Sequence, residues 1–224
     1  MIEPTSKSST PLFEDTPTVS NSDKPVPAKM NPLYRVVLGI CGVIGIFFGV
    51  SKMREGINQI RGVGADSVAV QQLFDEAKKA LDAGNAASLA AQPRFQAMLD
   101  EVDKIGLDTF RAQKEVEAND VSKQFGEAAT QFRTATKKFD EMLTHDIKEN
   151  HAAFFKKQSE ALKLYAEARE KNQEIIRALL DKSIPTVDDL LKKIEPAMTS
   201  RDELQKAGTD ADAEAAKLAE KLKT

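Results

Sequence analysis

The sequence predicts an all-α protein: a single transmembrane helix followed by an elongated helical bundle, a coiled-coil-like soluble domain. Three observations carry this reading. Residues Val36 to Ser51 read VVLGICGVIGIFFGVS, sixteen residues without a charge, bounded by Arg35, Lys52 and Arg54. Beyond residue 66, apolar side chains recur at steps of three and four, the period of one helix face. No segment shows the every-second-residue alternation of a half-buried strand.

The anchor is the first element. Sixteen residues at about 1.5 Å each reach roughly 24 Å, short of a hydrocarbon core of about 30 Å. Leu33, Tyr34 and Met53 lengthen the apolar run to 21 residues, from 33 to 53. Arg35, Lys52 and Arg54 then reach the headgroups with their charged ends, and Tyr34 sits where interfacial aromatics collect. The exit, FFGVSKM, lacks the small-residue pattern of a cleaved signal. Ile40 before Cys41 fits a lipid-attachment box poorly. Gly39, Gly42, Gly45 and Gly49 fall near one face of this helix, and Gly45 and Gly49 form a small-xxx-small pair. Such a face lets a second helix backbone approach closely in lipid.

Composition divides the rest. Six of the nine prolines lie at 4, 11, 17, 25, 27 and 32, in a stretch rich in Ser and Thr. Residues 1–32 carry too little apolar surface to offset ordering entropy and are expected to be a disordered tail. Residues 54–65 are expected to be a juxtamembrane linker, loosened by Gly62 and Gly64. Residues 66–224 are the α-helical domain. The net charge is −3 overall and −5 over residues 65–224, so nucleic acid finds no basic footprint there. Cys41 is the one cysteine, which excludes internal disulfides and multi-cysteine zinc sites.

Within the domain, Val70, Leu73, Phe74, Ala77 and Leu81 share one helix face. Gly84 is expected to stop that helix and Pro93 to open the next, which buries Phe95, Met98, Leu99, Val102 and Ile105. Gly106 is a break. A longer helix is expected from about 107 to 145. In it Phe125, Phe132 and Phe139 recur every seven residues, with Ala128, Ala135 and Met142 three later. That is the seam of three heptads, and core packing is its expected role. THDIKENH, 144–151, reads as a polar turn. A further helix runs to about 181 and ends at Ser183-Ile184-Pro185. Thr186 is the expected N-cap of the next, with Asp188 and Asp189 favourable to its dipole. Ser200 and Glu203 are spaced as a capping box for a restart. The last segment, to about 222, is Ala-, Lys- and Glu-rich, weakly amphipathic, and expected to fray or to pair with a partner.

Chemistry is sparse. Glu141, His145 and Glu149 are spaced to share one helix face, but bundle metal sites use Glu-x-x-His from several helices, and that motif is missing. They read as a solvated face. No phosphate-binding loop, nucleophile elbow or Cys/His pair occurs. The expected function is a single-pass, membrane-anchored helical interaction or scaffold protein without catalytic activity or cofactor. Its expected partners are the lipid bilayer and a protein partner, or a second copy, met through the membrane helix or the bundle. The alternative is a membrane-anchored helical ligand-sensing domain working with a partner. Basic residues tie across the span, so orientation rests on the habit of N-terminal spans to act as uncleaved signal anchors. That places the domain on the non-cytoplasmic side.

Overall fold

A computed structural model describes residues 67–221, and these are all-α. Four long helices follow one another: α1 Ser67–Ile105, α2 Leu107–Met142, α3 Glu149–Leu180 and α4 Val187–Lys221. They hold 39, 36, 32 and 35 residues, so each is about 50–60 Å long. The expected anchor at 33–53, with its glycine face, lies outside the described residues, as do the tail and the linker. Among the described residues no helix is long and apolar enough to cross a membrane.

The helices form an antiparallel up-down bundle. Cross-helix pairs show the register. Glu76 pairs with Lys138 at 3.0 Å, Arg94 with Asp120 at 2.6 Å, and Glu101 with Lys114 at 3.1 Å, running oppositely along α1 and α2. Between α2 and α3, Arg133 pairs with Glu170, and Asp140 with Lys163. Between α3 and α4, Lys157 meets Glu214 at 2.8 Å and Gln158 donates to Asp212 at 3.1 Å. Exposed ion pairs of this kind contribute about 0–1 kcal/mol each, so they mark register more than they hold the fold. Backbones pack most closely between chain neighbours, α1/α2, α2/α3 and α3/α4, while α1 and α4 approach each other less.

Packing follows a seven-residue repeat on α1, α2 and α3. On α1, Phe74, Leu81, Ser88, Phe95 and Val102 are buried, with Ala77, Gly84, Ala91 and Met98 between them. On α2 the corresponding set is Arg111, Ala118, Phe125, Phe132 and Phe139. On α3 it is Phe155, Leu162, Arg169 and Ile176, interleaved with Gln158, Tyr165, Asn172 and Leu179. The three phenylalanines of the α2 seam are completely buried. Phe139 meets Phe74 edge-on at 6.0 Å and Phe155 at 5.9 Å; Phe125 meets Phe95 edge-on at 5.6 Å. Such geometries add to the apolar burial itself.

Several expected breaks do not occur. α1 runs through both Gly84 and Pro93. Pro93 forfeits one backbone hydrogen bond. Ala91 and Phe95 on either side of it are fully buried, so tertiary packing outweighs the local defect. Gly84 is no stop, because the Phe132 ring lies where a Cβ would be, 2.8 Å away, and the glycine makes room for it. Likewise α4, which contains Pro196, passes through Ser200 without a restart. Its last third neither frays nor stands apart within the described residues: Ala211, Ala215 and Ala219 are buried in the same core as α3. Small side chains let the two helices approach, which a hydrophobicity pattern under-reads. The long helix ends at Met142, not 145. Glu141, His145 and Glu149 therefore do not share one helix face.

The connections are short. Gly106 alone joins α1 to α2, at φ 80° and ψ 157°. That region is open essentially to glycine. Thr186 does cap α4: its Oγ1 accepts from the Asp189 N–H at 3.1 Å and donates to the Asp189 carboxylate at 2.6 Å. Arg111, in the α2 core row, reaches out to the α3–α4 connection. Its Nε donates to Leu179 O at 3.0 Å and its Nη1 to Ile184 O at 2.9 Å.

Candidate functional site: a polar band across the core

The bundle core is not continuous. One apolar cluster holds Phe74, Leu81, Phe132, Phe139, Phe155 and Tyr165, with the alanines of late α4. A second holds Phe95, Met98, Phe110, Phe125, Ile176 and Leu190 toward the opposite end. Between them α3 contributes no residue to either cluster from 167 to 174, and α4 none from 199 to 210. The gap is filled by polar groups.

Arg169 is the centre of this band. It occupies the α3 core row between Leu162 and Ile176 and is 3% exposed. Its Nε donates to Ser88 Oγ of α1 at 3.1 Å, and its Nη2 to Gln205 Oε1 of α4 at 3.1 Å. Both partners are neutral. Among the described residues no carboxylate forms an ion pair with Arg169. Burial pulls its guanidinium down to about 10 from an ordinary 12.5, and the like charge of Arg201 adds to the effect. Arg201 is itself buried, one turn from Gln205 on α4, and holds Asp202 through Nε at 2.9 Å and Nη2 at 2.6 Å.

Asn172 lies one turn beyond Arg169 on the same face of α3. It is fully buried, and neither its Nδ2 nor its Oδ1 has a hydrogen-bond partner. Gln205 Nε2 and Asn85 Oδ1 are buried without partners too. The Tyr165 phenol, at the upper edge, is pushed up to about 12 by burial. These groups are costly. A buried, unpaired polar atom forfeits about 1–3 kcal/mol, and a buried charge without a counterion several. The band concentrates that cost on three helices at one level.

Small residues let neighbouring side chains pack close at this level. Gly84, Gly126 and Gly208 all lie in the gap, against Phe132, Gln173 and Tyr165 respectively. Ala128 and Ala129 of α2 are buried in the first apolar cluster. The chemistry the arrangement offers is donor-rich and cationic. Two guanidinium groups and two primary amides lie at this level, and the one carboxylate paired with them, Asp202, belongs to Arg201.

None of these residues stands out in a search for catalytic motifs. Their signal in the sequence is an absence: the apolar row of α3 skips from Ala168 to Ile175, and Arg169 and Asn172 stand where the repeat wants apolar residues. Elsewhere, among the described residues, no three His, Cys, Asp or Glu side chains converge as metal ligands. The seam residues Phe125, Phe132 and Phe139 line the apolar clusters on both sides of the band. Compared with known proteins, the chain matches no family model, no curated protein and no solved structure.

Proposed function

We propose that this chain is a single-pass membrane-anchored helical protein whose bundle acts as an interaction or scaffold module without catalytic activity. The observation that carries the reading is the uncharged run at 36–51 between Arg35 and Lys52, set directly before a self-contained domain. The run supplies location, and its face of Gly39, Gly42, Gly45 and Gly49 supplies a surface for a second membrane helix. The bundle presents a charged outside built on ion pairs. The domain is placed on the non-cytoplasmic side.

A second reading is a ligand-sensing bundle working with a partner helix in the membrane. The buried polar band favours it, since its central cation, Arg169, has only neutral hydrogen-bond partners among the described residues.

Fractionation of the full-length chain tests the anchor. The chain is expected to float with membranes and resist alkaline extraction, and a chain lacking 33–53 to be released; release of both forms overturns the anchor. Purified in mild detergent, the full chain is expected to bring a stoichiometric partner or a second copy. A strictly monomeric, partnerless chain overturns the scaffold role. External protease is expected to shave the bundle from spheroplasts or cells, and full protection reverses the assigned side.

A further inference from the structure

We infer that the polar band is a binding site for a compact oxyanion, a carboxylate or a phosphate, held between α3 and α4 by Arg169, Arg201, Asn172 and Gln205. The inference deepens the ligand-sensing reading and stands apart from the membrane anchor.

Geometry supplies the argument. Arg169 is 97% removed from solvent, and its two hydrogen-bond partners, Ser88 and Gln205, are neutral. A guanidinium presents five N–H donors in a planar fork, and those two partners use only two of them. Arg201 adds a second buried cation one turn along α4, with its own Asp202 lying out toward solvent. The antiparallel register of α3 and α4 sets Asn172 level with Arg201, as it sets Arg169 level with Gln205. Asn172 is 0% exposed with its amide N–H groups unused, and the Gln205 amide nitrogen is unused as well. Planar or tetrahedral oxyanions accept from forks and primary amides together, at short, charge-assisted distances.

Access comes from the α1/α4 side. Those two helices approach each other less closely than any chain-neighbouring pair. Asn85 of α1 and Gln205 of α4 are half-buried as residues while their unpaired Oδ1 and Nε2 are buried, so an oxyanion reaches the band by parting this seam. The competing role for such residues is a purely structural one, in which polar groups at core positions fix helix register at a cost in stability.

The two roles separate in a thermal melt of the purified full-length chain. Acetate and phosphate are titrated against chloride at constant ionic strength. The site predicts a saturable rise in midpoint of about 5–10 °C at a hundredfold excess over Kd, with one or both oxyanions. A response to acetate alone identifies a carboxylate ligand, and to phosphate alone a phosphate. Arg169→Met is expected to melt higher than the parent in chloride and to lose the oxyanion response. Should that variant not fold, Asn172→Leu and Arg201→Met replace it, each expected to weaken the response about tenfold. No rise over chloride in the parent overturns the site. So does an undiminished response in the variants, which marks general screening of the surface.

Discussion

Phe132 shows how one side chain organises its surroundings. Its ring is completely buried, lies 6.2 Å from the Tyr165 ring, and presses on the backbone of Gly84. Removing it leaves a hole lined by three helices that rigid backbones fill poorly. Phe132→Ala is therefore expected to cost about 3–5 kcal/mol. Against a typical total of about 5–15 kcal/mol, that is a large share. Thermal and denaturant melts of the full-length chain measure it. An unchanged midpoint with loss of a binding partner is the opposite outcome, and would make the seam a contact surface rather than core. Arg169 is the contrasting case at this scale. It sits in an equivalent row one helix away and offers the core a charge instead of a ring.

At the scale of elements, the α1–α2 turn rests on one residue. Gly106 turns the chain at a positive φ, with its N–H donating to Val102 O at 3.0 Å and its carbonyl accepting from Phe110 N at 3.0 Å. Nothing crowds the space a Cβ would take, so the penalty for Gly106→Ala is purely conformational. It is expected at about 1–3 kcal/mol, read as a lower melting midpoint with unchanged helical content. A neutral effect would mean that the turn relaxes into another conformation.

The sequence marks this break, the heptad seam of α2 and the Thr186 cap, because each rests on local chemistry. Gly84, Pro93 and Ser200 mislead for the same reason. Their local preference to end or start a helix is real, and at Gly84 a ring from 48 residues away, Phe132, packs where a helix stop is expected. Arg169 and Asn172 hide differently. A charged residue in a helix reads as surface until the helices packed around it are known, and Ser88 and Gln205 are 81 and 36 residues away in the chain. The stretch at 33–53, expected from hydropathy to be an anchor, lies outside the described residues.

For the whole molecule, acidification is expected to loosen the bundle through His151. This residue opens α3 beside the lower connection and is buried, with its Nδ1 unpartnered. Burial, with the nearby Lys148 charge, holds its pKa below the ordinary 6.5. The unfolded chain takes up a proton near 6.5, whereas the folded chain resists until lower pH. Stability is thus complete above 6.5 and falls as pH drops through that window. The slope is at most about 1.4 kcal/mol per pH unit for one group. Asp212 works with the other sign, since burial raises its pKa and protonation relieves the folded state. Comparing melts near pH 7 and pH 5 in the parent and in His151→Gln isolates the histidine. The variant is expected to lose less stability on acidification, and parallel losses would exclude His151 as the cause.

The succession of packed seams, each between a helix and the one just before it, also bears on how the chain reaches this state. The loops to be closed are one residue at Gly106 and six residues at 143–148 and at 181–186. Closing such loops costs little entropy. Contacts between segments adjacent in the chain give a low contact order, and helical proteins of that kind fold within microseconds to milliseconds. The α1–α2 hairpin forms its own seam first, and α3 then adds its contacts to Phe74, Phe132, Phe139 and Arg111. A chain emerging from the ribosome is therefore able to assemble in the order in which it is made.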